Sequence, residues 1–282
     1  MNSSGGTAGG TIFGMDAGKL QKLEDAIAIG KDLRHCWFRG HSEIFGSLSP
    51  GIHREPFCSA ARENIEFWAA QRFRLRAASY TANLPAWDDY VSWLLLMQHH
   101  GAPTRLLDWT ENVLVGLYFA VRDSKGTDGE LWCMHHGELN WRSADYRACF
   151  PDTPPVRYLA AAAFLTPADL RIFGADLGWE KPPNGPIALI PSLQFPRIAA
   201  QMSRFTIHAS REPEAQIEFL LRGPSLVRYI IPAAAKVDLA ESLARLGFSH
   251  ETLFHSLDSL AQTIKDEIVE PDYDQSPPPQ FE

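Results

Sequence analysis

Cysteine is scarce and scattered in this chain of 282 residues. Cys36, Cys58, Cys133 and Cys149 form no CxxC or other close ligand pair, which excludes a zinc ribbon or a dense disulfide framework and suits a reducing compartment. Positive charge is also in short supply. The 26 Lys and Arg against 34 Asp and Glu give a formal net charge of -8, and a field of that sign repels nucleic acid and anionic membrane surfaces. No hydrophobic run reaches the ~18 residues of a membrane span. The opening MNSSGGTAGGTIFG lacks the basic-then-apolar order of a signal peptide. A cytoplasmic protein with no membrane partner is therefore expected. Common catalytic signatures are missing as well: there is no GxxxxGK[ST], no GxGxxG after a strand, no HExxH and no GxSxG.

What is present is ordinary globular material, 45% hydrophobic and 21% charged, enough for a full core in one large domain. Residues 1–14 read as a flexible tail, 15–271 as one α+β domain and 272–282, ending QSPPPQFE, as a disordered tail. A first amphipathic helix is predicted from an Asp16 N-cap to Gly30, carried by Leu20, Leu23, Ala26 and Ile27. Leu33 to Gly40 reads as a strand ending at Arg39, and Ser42 to Arg54 as a loop. A helix over about 59–80 mixes Ile65, Phe67, Trp68 and Phe73 with Arg62, Arg72, Arg74 and Arg76. The arginines are read as a solvated helix face, because Glu63 and Glu66 share the segment.

The most informative stretch is Leu94 to Ala120, LLLMQHHGAPTRLLDWTENVLVGLYFA. Its front half ends a helix begun near Asp88, with Gly101 suited to the left-handed position after the last turn and Pro103 preventing continuation. Its back half reads as a helix capped by Thr110, with Val113, Leu114, Leu117, Tyr118 and Val121 on one face. Between them a loop over 102–109 carries Arg105 and Asp108 among Leu106, Leu107 and Trp109. Charges so flanked are costly to desolvate unless paired or engaged by a ligand, so the loop is either a functional element or an Arg105–Asp108 pair pinning a turn. It should lie against the strand ending at Arg39, with Leu106, Leu107 and Trp109 buried. His99 and His100 are adjacent and point about 100° apart on a helix, so they cannot readily serve one metal; no metal site is expected.

Further along, Glu130 to His135 and Leu226 to Ile231 read as strands, Ile187 to Ile190 as a short one, and 136–185 is the least legible part. Thr166–Pro167 fits a capped helix start. Gln201 sits where a loop enters a strand through Phe205, Thr206 and Ile207. A helix is expected over Pro213–Leu221, another after Pro232, and a last one over 256–269 with Leu257, Leu260, Ile264 and Ile268 on one side.

These residues carry a family resemblance. Phe38-Arg39-Gly40, then Ser42, the loop from Pro50 to Arg54, the block from Gln98 through His99, Gly101, Pro103, Thr104, Arg105 and Asp108 to Thr110, and Tyr118-Phe119-Ala120 resemble the FRG-domain proteins. Weaker islands follow at Arg197-Ile198, Gln201 and Phe205, and at Leu253-Phe254 and Leu257-Asp258. The family usually shows glycine where Ser203 stands and proline where His255 stands. The order of an arginine at the end of an early strand, a threonine segment before an apolar helix, and a late polar residue entering a strand is similar to the layout of ADP-ribosyltransferases, which implies a single mixed domain with a split β-core surrounded by helices. It also implies NAD as cofactor. Arg39 would hold its phosphate and ribose side as a planar fork of donors, within a set comprising Gly40, Ser42, Arg54, Gln98, His99, Arg105 and Phe205. Thr110 would support the nicotinamide ribose, Gln201 would occupy the late position, and Asp108, Glu218 or Asp258 would supply the carboxylate that Gln201 cannot. Catalytic roles accordingly fall on Asp108, Thr110 and Gln201.

The expected function is NAD-dependent ADP-ribosylation of a macromolecular target, protein or nucleic acid, by a bacterial toxin or anti-phage effector with an antitoxin or immunity partner. The rival is a non-catalytic nucleotide- or protein-binding module. A hydrolase built on His99 and Asp108 lacks an evident nucleophile.

Overall fold

The computed structural model describes residues 15–58, 64–123, 125–179, 181–209, 211–221 and 223–269; the tails expected at 1–14 and 272–282, and Arg62 and Glu63, lie outside the described residues. The chain begins with strand β1 (Met15–Lys19), helix α1 (Leu23–Asp32) and strand β2 (Cys36–His41). Helices α2 (Ile65–Ala77) and α3 (Tyr90–His99) precede β3 (Leu106–Thr110), α4 (Val113–Val121) and β4 (Gly129–His135). Next come α5 (His136–Ala144), α6 (Pro154–Ala161), α7 (Pro167–Asp176), β5 (Ile187–Leu189), α8 (Pro196–Ala200) and β6 (Ser203–Ile207). The chain closes with α9 (Ile217–Leu220), β7 (Leu226–Ile231), α10 (Lys236–Arg245), α11 (His250–Phe254) and α12 (Leu257–Val269). Among the described residues, no helix is long and apolar enough to cross a membrane.

The strands form one curled mixed sheet in the order β1-β7-β4-β2-β3-β6-β5. Strand β1 pairs parallel with β7, and the remaining pairings are antiparallel. Strands β2 and β4 pair over six residues each, from Cys36 opposite His135 to His41 opposite Glu130. By contrast β2 meets β3 at a single pair, Phe38 opposite Thr110. Continuing that register would set Arg39 against Trp109 and Gly40 against Asp108, and neither pair forms. The sheet is thus a four-strand and a three-strand part joined at one point.

Side chains alternate across a strand, so each face collects its own core. One face packs Phe38, Leu131, Cys133 and Val227 against α1, α4 and α10, while Leu106, Phe205, Ile207 and Leu189 pack against α3 and α6. These two clusters stand on either side of the β2–β3 junction. On the other face a single cluster of Trp37, Trp132, Trp109, Leu107 and Met134 runs across it beneath α5 and α9. Gly40 lets β2 approach α4: a Cβ there would sit 1.9 Å from the carbonyl oxygen of Gly116 and 2.6 Å from the amide nitrogen of Ala120.

Several expectations are corrected. The helix predicted from Asp16 starts instead at Leu23, where the Asp25 carboxylate accepts from the amides of Gln21 (3.2 Å) and Lys22 (3.0 Å). Residues 15–19 form a strand because β7 offers them a backbone edge. The loop over 102–109 is, from Leu106 on, strand β3. It is buried at Leu106, Leu107 and Trp109, and it adjoins β2 as predicted. Helix α4 is capped by Asn112, whose side chain accepts from Leu114 N at 2.9 Å, because Thr110 belongs to the strand. Arg74 is not solvated: it is buried, its guanidinium 3.6 Å over the Trp87 ring. Helix α3 does end with Gly101 at φ +75°. All four cysteines are free thiols, and Cys36, Cys133 and Cys149 are buried. The apolar side of α12 exists, but Leu257, Leu260, Ile264 and Ile268 are exposed.

Candidate functional site

Where β2 and β3 part, the gap is filled by a side chain. Arg39 projects from β2 and its Nη1 donates to the backbone carbonyl of Asp108 at 2.6 Å, across the opening that a ladder bond would otherwise span. Its Nε donates to Nε2 of His41 at 2.7 Å. Two residues apart on a strand, Arg39 and His41 share a face. Among the described residues Nη2 of Arg39 makes no hydrogen bond. Burial pushes the Arg39 guanidinium down to about 10, with Asp108 and Glu130 pulling upward and Arg54 downward, so it stays cationic at neutral pH.

His41 is anchored in turn. Its Nδ1 lies 2.7 Å from Oε1 of Glu130, the residue opposite it on β4. Guanidinium can only donate, so the Nε2 that meets Arg39 must be the unprotonated nitrogen and the proton sits on Nδ1. Burial, with the charge of Arg39, pushes His41 down to about 4, and the imidazole is neutral at pH 7. Glu130 is fully buried. Burial alone would push it up, yet hydrogen bonding led by His41 holds the carboxyl below its ordinary range. Its other oxygen lies 3.5 Å from Nη1 of Arg228.

The opening leads into a cavity of about 190 Å³ lined by Arg39, Gly40, Asp108, Thr110, Gln201 and, from α8, Arg197, with Phe119 and the start of α4 as the apolar wall. The structure therefore gathers five of the predicted residues and adds Arg197. The guanidinium of Arg197 lies 4.5 Å from the ring centre of Phe254. Among the described residues it makes no hydrogen bond or ion pair. Burial lowers it, countered by Asp108. Asp108 itself is exposed, with Oδ2 accepting from Nε2 of Gln98 at 2.8 Å. Gln98 is set by Thr104, whose hydroxyl donates to its Oε1 at 2.5 Å.

Thr110 and Gln201 line the cavity but are occupied by the fold. The Thr110 hydroxyl donates to the carbonyl of Gln201 at 2.7 Å and accepts from Asn112 N at 3.0 Å. Nε2 of Gln201 donates to the carbonyl of Leu253 at 3.1 Å, tying β3, α8 and α11 together.

Other predicted residues lie elsewhere. Arg105 is not paired with Asp108: it makes a two-pronged pair with Glu66 of α2, at 3.0 and 2.6 Å, and donates to the carbonyl of Leu159. Phe205 is core, opposite Asp108 on β6. The carbonyl of Ser42 accepts from the buried Lys236 ammonium. His99 stacks on Phe195, with centroids 4.5 Å apart, near the charge of Arg197. Arg54 is exposed and donates to the Ser49 carbonyl at 2.7 Å, within electrostatic range of Arg39 and Asp108. Of the alternative carboxylates, Glu218 is turned away to accept from Leu48 N at 2.5 Å, and Asp258 does not line the cavity.

Sequence reasoning missed Glu130 as a site residue although it lay in a predicted strand. A carboxylate inside a run as apolar as GELWCMH is itself the signal, since a buried acid needs a partner. Arg197 could have been found from its place just upstream of Gln201.

Residues 34–129 match the model of the FRG domain. No curated protein and no solved structure matches this chain.

Proposed function

Given that residues 34–129 match the model of the FRG domain, we propose that this chain is an NAD-dependent ADP-ribosyltransferase acting on a macromolecule in the cytoplasm. The observation that supports this most is the cavity at the parted β2–β3 junction, which joins two guanidinium groups having unused donors to an exposed carboxylate. Arg39 and Arg197 suit the two phosphates of a dinucleotide, because planar forks of N–H donors match anionic oxygens. The cavity is smaller than the roughly 300–1,000 Å³ typical of ligand pockets, so it fits one end of the dinucleotide, with the Arg54 charge within electrostatic range of it. NAD supplies an ADP-ribosyl group on a good leaving group, nicotinamide. The chain supplies Asp108, whose negative charge favours positive charge developing at the ribose carbon, and only such differential stabilisation raises the chemical rate. Gln98 holds the carboxylate in place. Thr110 and Gln201 shape the wall rather than transfer protons.

By family resemblance alone we extend the proposal to a bacterial toxin or anti-phage effector with an antitoxin or immunity partner. One observation favours the rival reading, a non-catalytic nucleotide- or protein-binding module: Arg39, Thr110 and Gln201 all have structural hydrogen-bonding duties. The two readings separate in one experiment, in which purified protein is incubated with radiolabelled NAD, alone and with cell lysate. The transferase reading expects nicotinamide release and labelled macromolecule, with Asp108→Asn lowering transfer at least roughly a hundredfold while the fold persists, since the backbone carbonyl that binds Arg39 is retained. Tight NAD binding with no label on any macromolecule would leave the module.

A further inference from the structure

A buried carboxylate is costly, and losing its partner is strongly destabilising, so the placement of Glu130 behind the cavity asks for an explanation. It does not reach the cavity. It reaches His41, and His41 reaches Arg39, with both links at 2.7 Å. The backbone puts them in order: His41 faces Glu130 across the β2–β4 ladder, and Arg39 lies two residues along β2 on the same face. The amide of Phe45 (3.4 Å), Nη1 of Arg228 (3.5 Å) and the Trp132 indole also neighbour the Glu130 carboxylate.

Each link has one chemical direction. Arg39 can only donate, so His41 must offer Nε2 as a lone pair. That forces the proton to Nδ1, and a proton on Nδ1 needs an acceptor in the core, which is Glu130. An acid and a neutral imidazole therefore fix the Nε side of the guanidinium, while the Asp108 carbonyl fixes Nη1. With two points held, the guanidinium plane is determined and Nη2 is left over.

We propose that His41 and Glu130 are positioning residues that lock the guanidinium plane of Arg39, so that its free Nη2 edge is presented to an anion in the cavity. The proposal rests on the reading of Arg39 as the phosphate-holding arginine. A preorganised fork loses less freedom on binding than a mobile one, so the effect belongs to affinity and orientation. A lysine at position 39 could not use this support, having neither the Nε–H nor the plane.

The test uses the full chain with ¹⁵N-labelled histidine and arginine, and NAD titrations by calorimetry. In the wild type at neutral pH, long-range ¹H–¹⁵N spectra are expected to show His41 neutral with the proton on Nδ1, and a slowly exchanging Arg39 Nε–H. A protonated ring, or the Nε2–H tautomer, would overturn the proposal without any variant being made. His41→Phe should speed exchange of the Arg39 Nε–H and weaken NAD binding about tenfold or more. His41→Gln, which restores an acceptor near the Nε2 position, should recover most of both. Where His41→Phe strands Glu130 and unfolds the protein, the double variant with Glu130→Leu replaces it. If His41→Phe binds NAD like the wild type while Arg39→Lys does not, the positioning role is wrong and the proposed function stands. If Arg39→Lys also binds NAD like the wild type, the proposed function is what fails. The positioning role is then decided by the Nε–H exchange alone: unchanged exchange in His41→Phe rejects it.

Discussion

Strand β2 has two edges, and the chain closes them by different means. Toward β4 the edge is sealed by backbone, six residues opposite six. Toward β3 the backbone pairs once, at Phe38 and Thr110, and a side chain serves for the rest, with Arg39 satisfying the carbonyl of Asp108. Backbone polar groups away from water need partners. A ladder provides them permanently, whereas a guanidinium leaves donors to spare and a cavity beside it. The buried Trp37, Trp132 and Trp109 belong to one cluster that spans the parted strands.

The most severe way to break this contrast is to push β2 itself off α4. Gly40→Ala would drive a Cβ to 1.9 Å from the Gly116 carbonyl, where neither β2 nor α4 has a flexible end to yield. Overpacking of this kind costs typically ~1–3 kcal/mol, and a backbone clash belongs at or above the upper end. Thermal unfolding should show Tm lowered by at least ~6 °C; an unchanged Tm would mean that β2 and α4 can separate freely.

Acid should loosen the braced side next. His41 has a folded pKa of about 4 against an ordinary 6.5, so as pH falls the unfolded chain takes up the proton first. The stability due to neutral His41 is complete above pH 6.5, declines between 6.5 and about 4, and does not change further below. At ~1.4 kcal/mol per unit this share is at most ~3 kcal/mol. Glu130, held below its ordinary range, acts in the same direction: its contribution is present above the unfolded pKa and is lost as pH falls through the folded one. His53 and His136, both pushed down to about 4 chiefly by burial, add to the wild-type slope. Urea unfolding between pH 8 and 4 should therefore give a shallower pH dependence in His41→Gln than in the wild type. Equal slopes would place the loss elsewhere.

The smallest effect sharpens the contrast from the three-strand part. Strands β3 and β6 pair along five residues, and Arg204 adds a two-pronged pair to Glu111, at 2.9 and 2.8 Å. Where a ladder is complete, an exposed ion pair is redundant and worth about 0–1 kcal/mol. Arg204→Ala should move the urea midpoint only slightly, in contrast to any change at Arg39.

Legibility from sequence followed the same division. Strands β2, β4 and β7 could be read because their apolar runs end at charges or proline, and α3 and α7 because Gly101 and Thr166 mark one end of each. Strand β3 was misread as a loop. Its LLDWT is buried on both sides of Asp108, which erases the alternation that marks a half-exposed strand. Strand β1 carries little β-forming character, and its conformation comes from β7, some 200 residues away. In the site, adjacency in sequence was misleading: Arg105 is three residues from Asp108, yet its partner is Glu66. The cavity is assembled by pairing between distant strands, so Gln201 could be joined to Arg39 and Asp108 only through the resemblance, and Glu130 could not be linked to His41 without the register.

The parallel pairing of β1 with β7 also bears on how the molecule is made. Among the described strands β1 comes earliest along the chain, and its partner β7 comes last. At about 5–20 residues per second, the roughly 200 residues between them take about 10–40 s to synthesise. During that interval β2 and β4 can already zip together, because both, with α2, α3, β3 and α4 between them, precede β7 along the chain, while β1 waits without its partner. The sheet order thus allows growth outward from β2 and β4, with β1 set in place only once β7 exists.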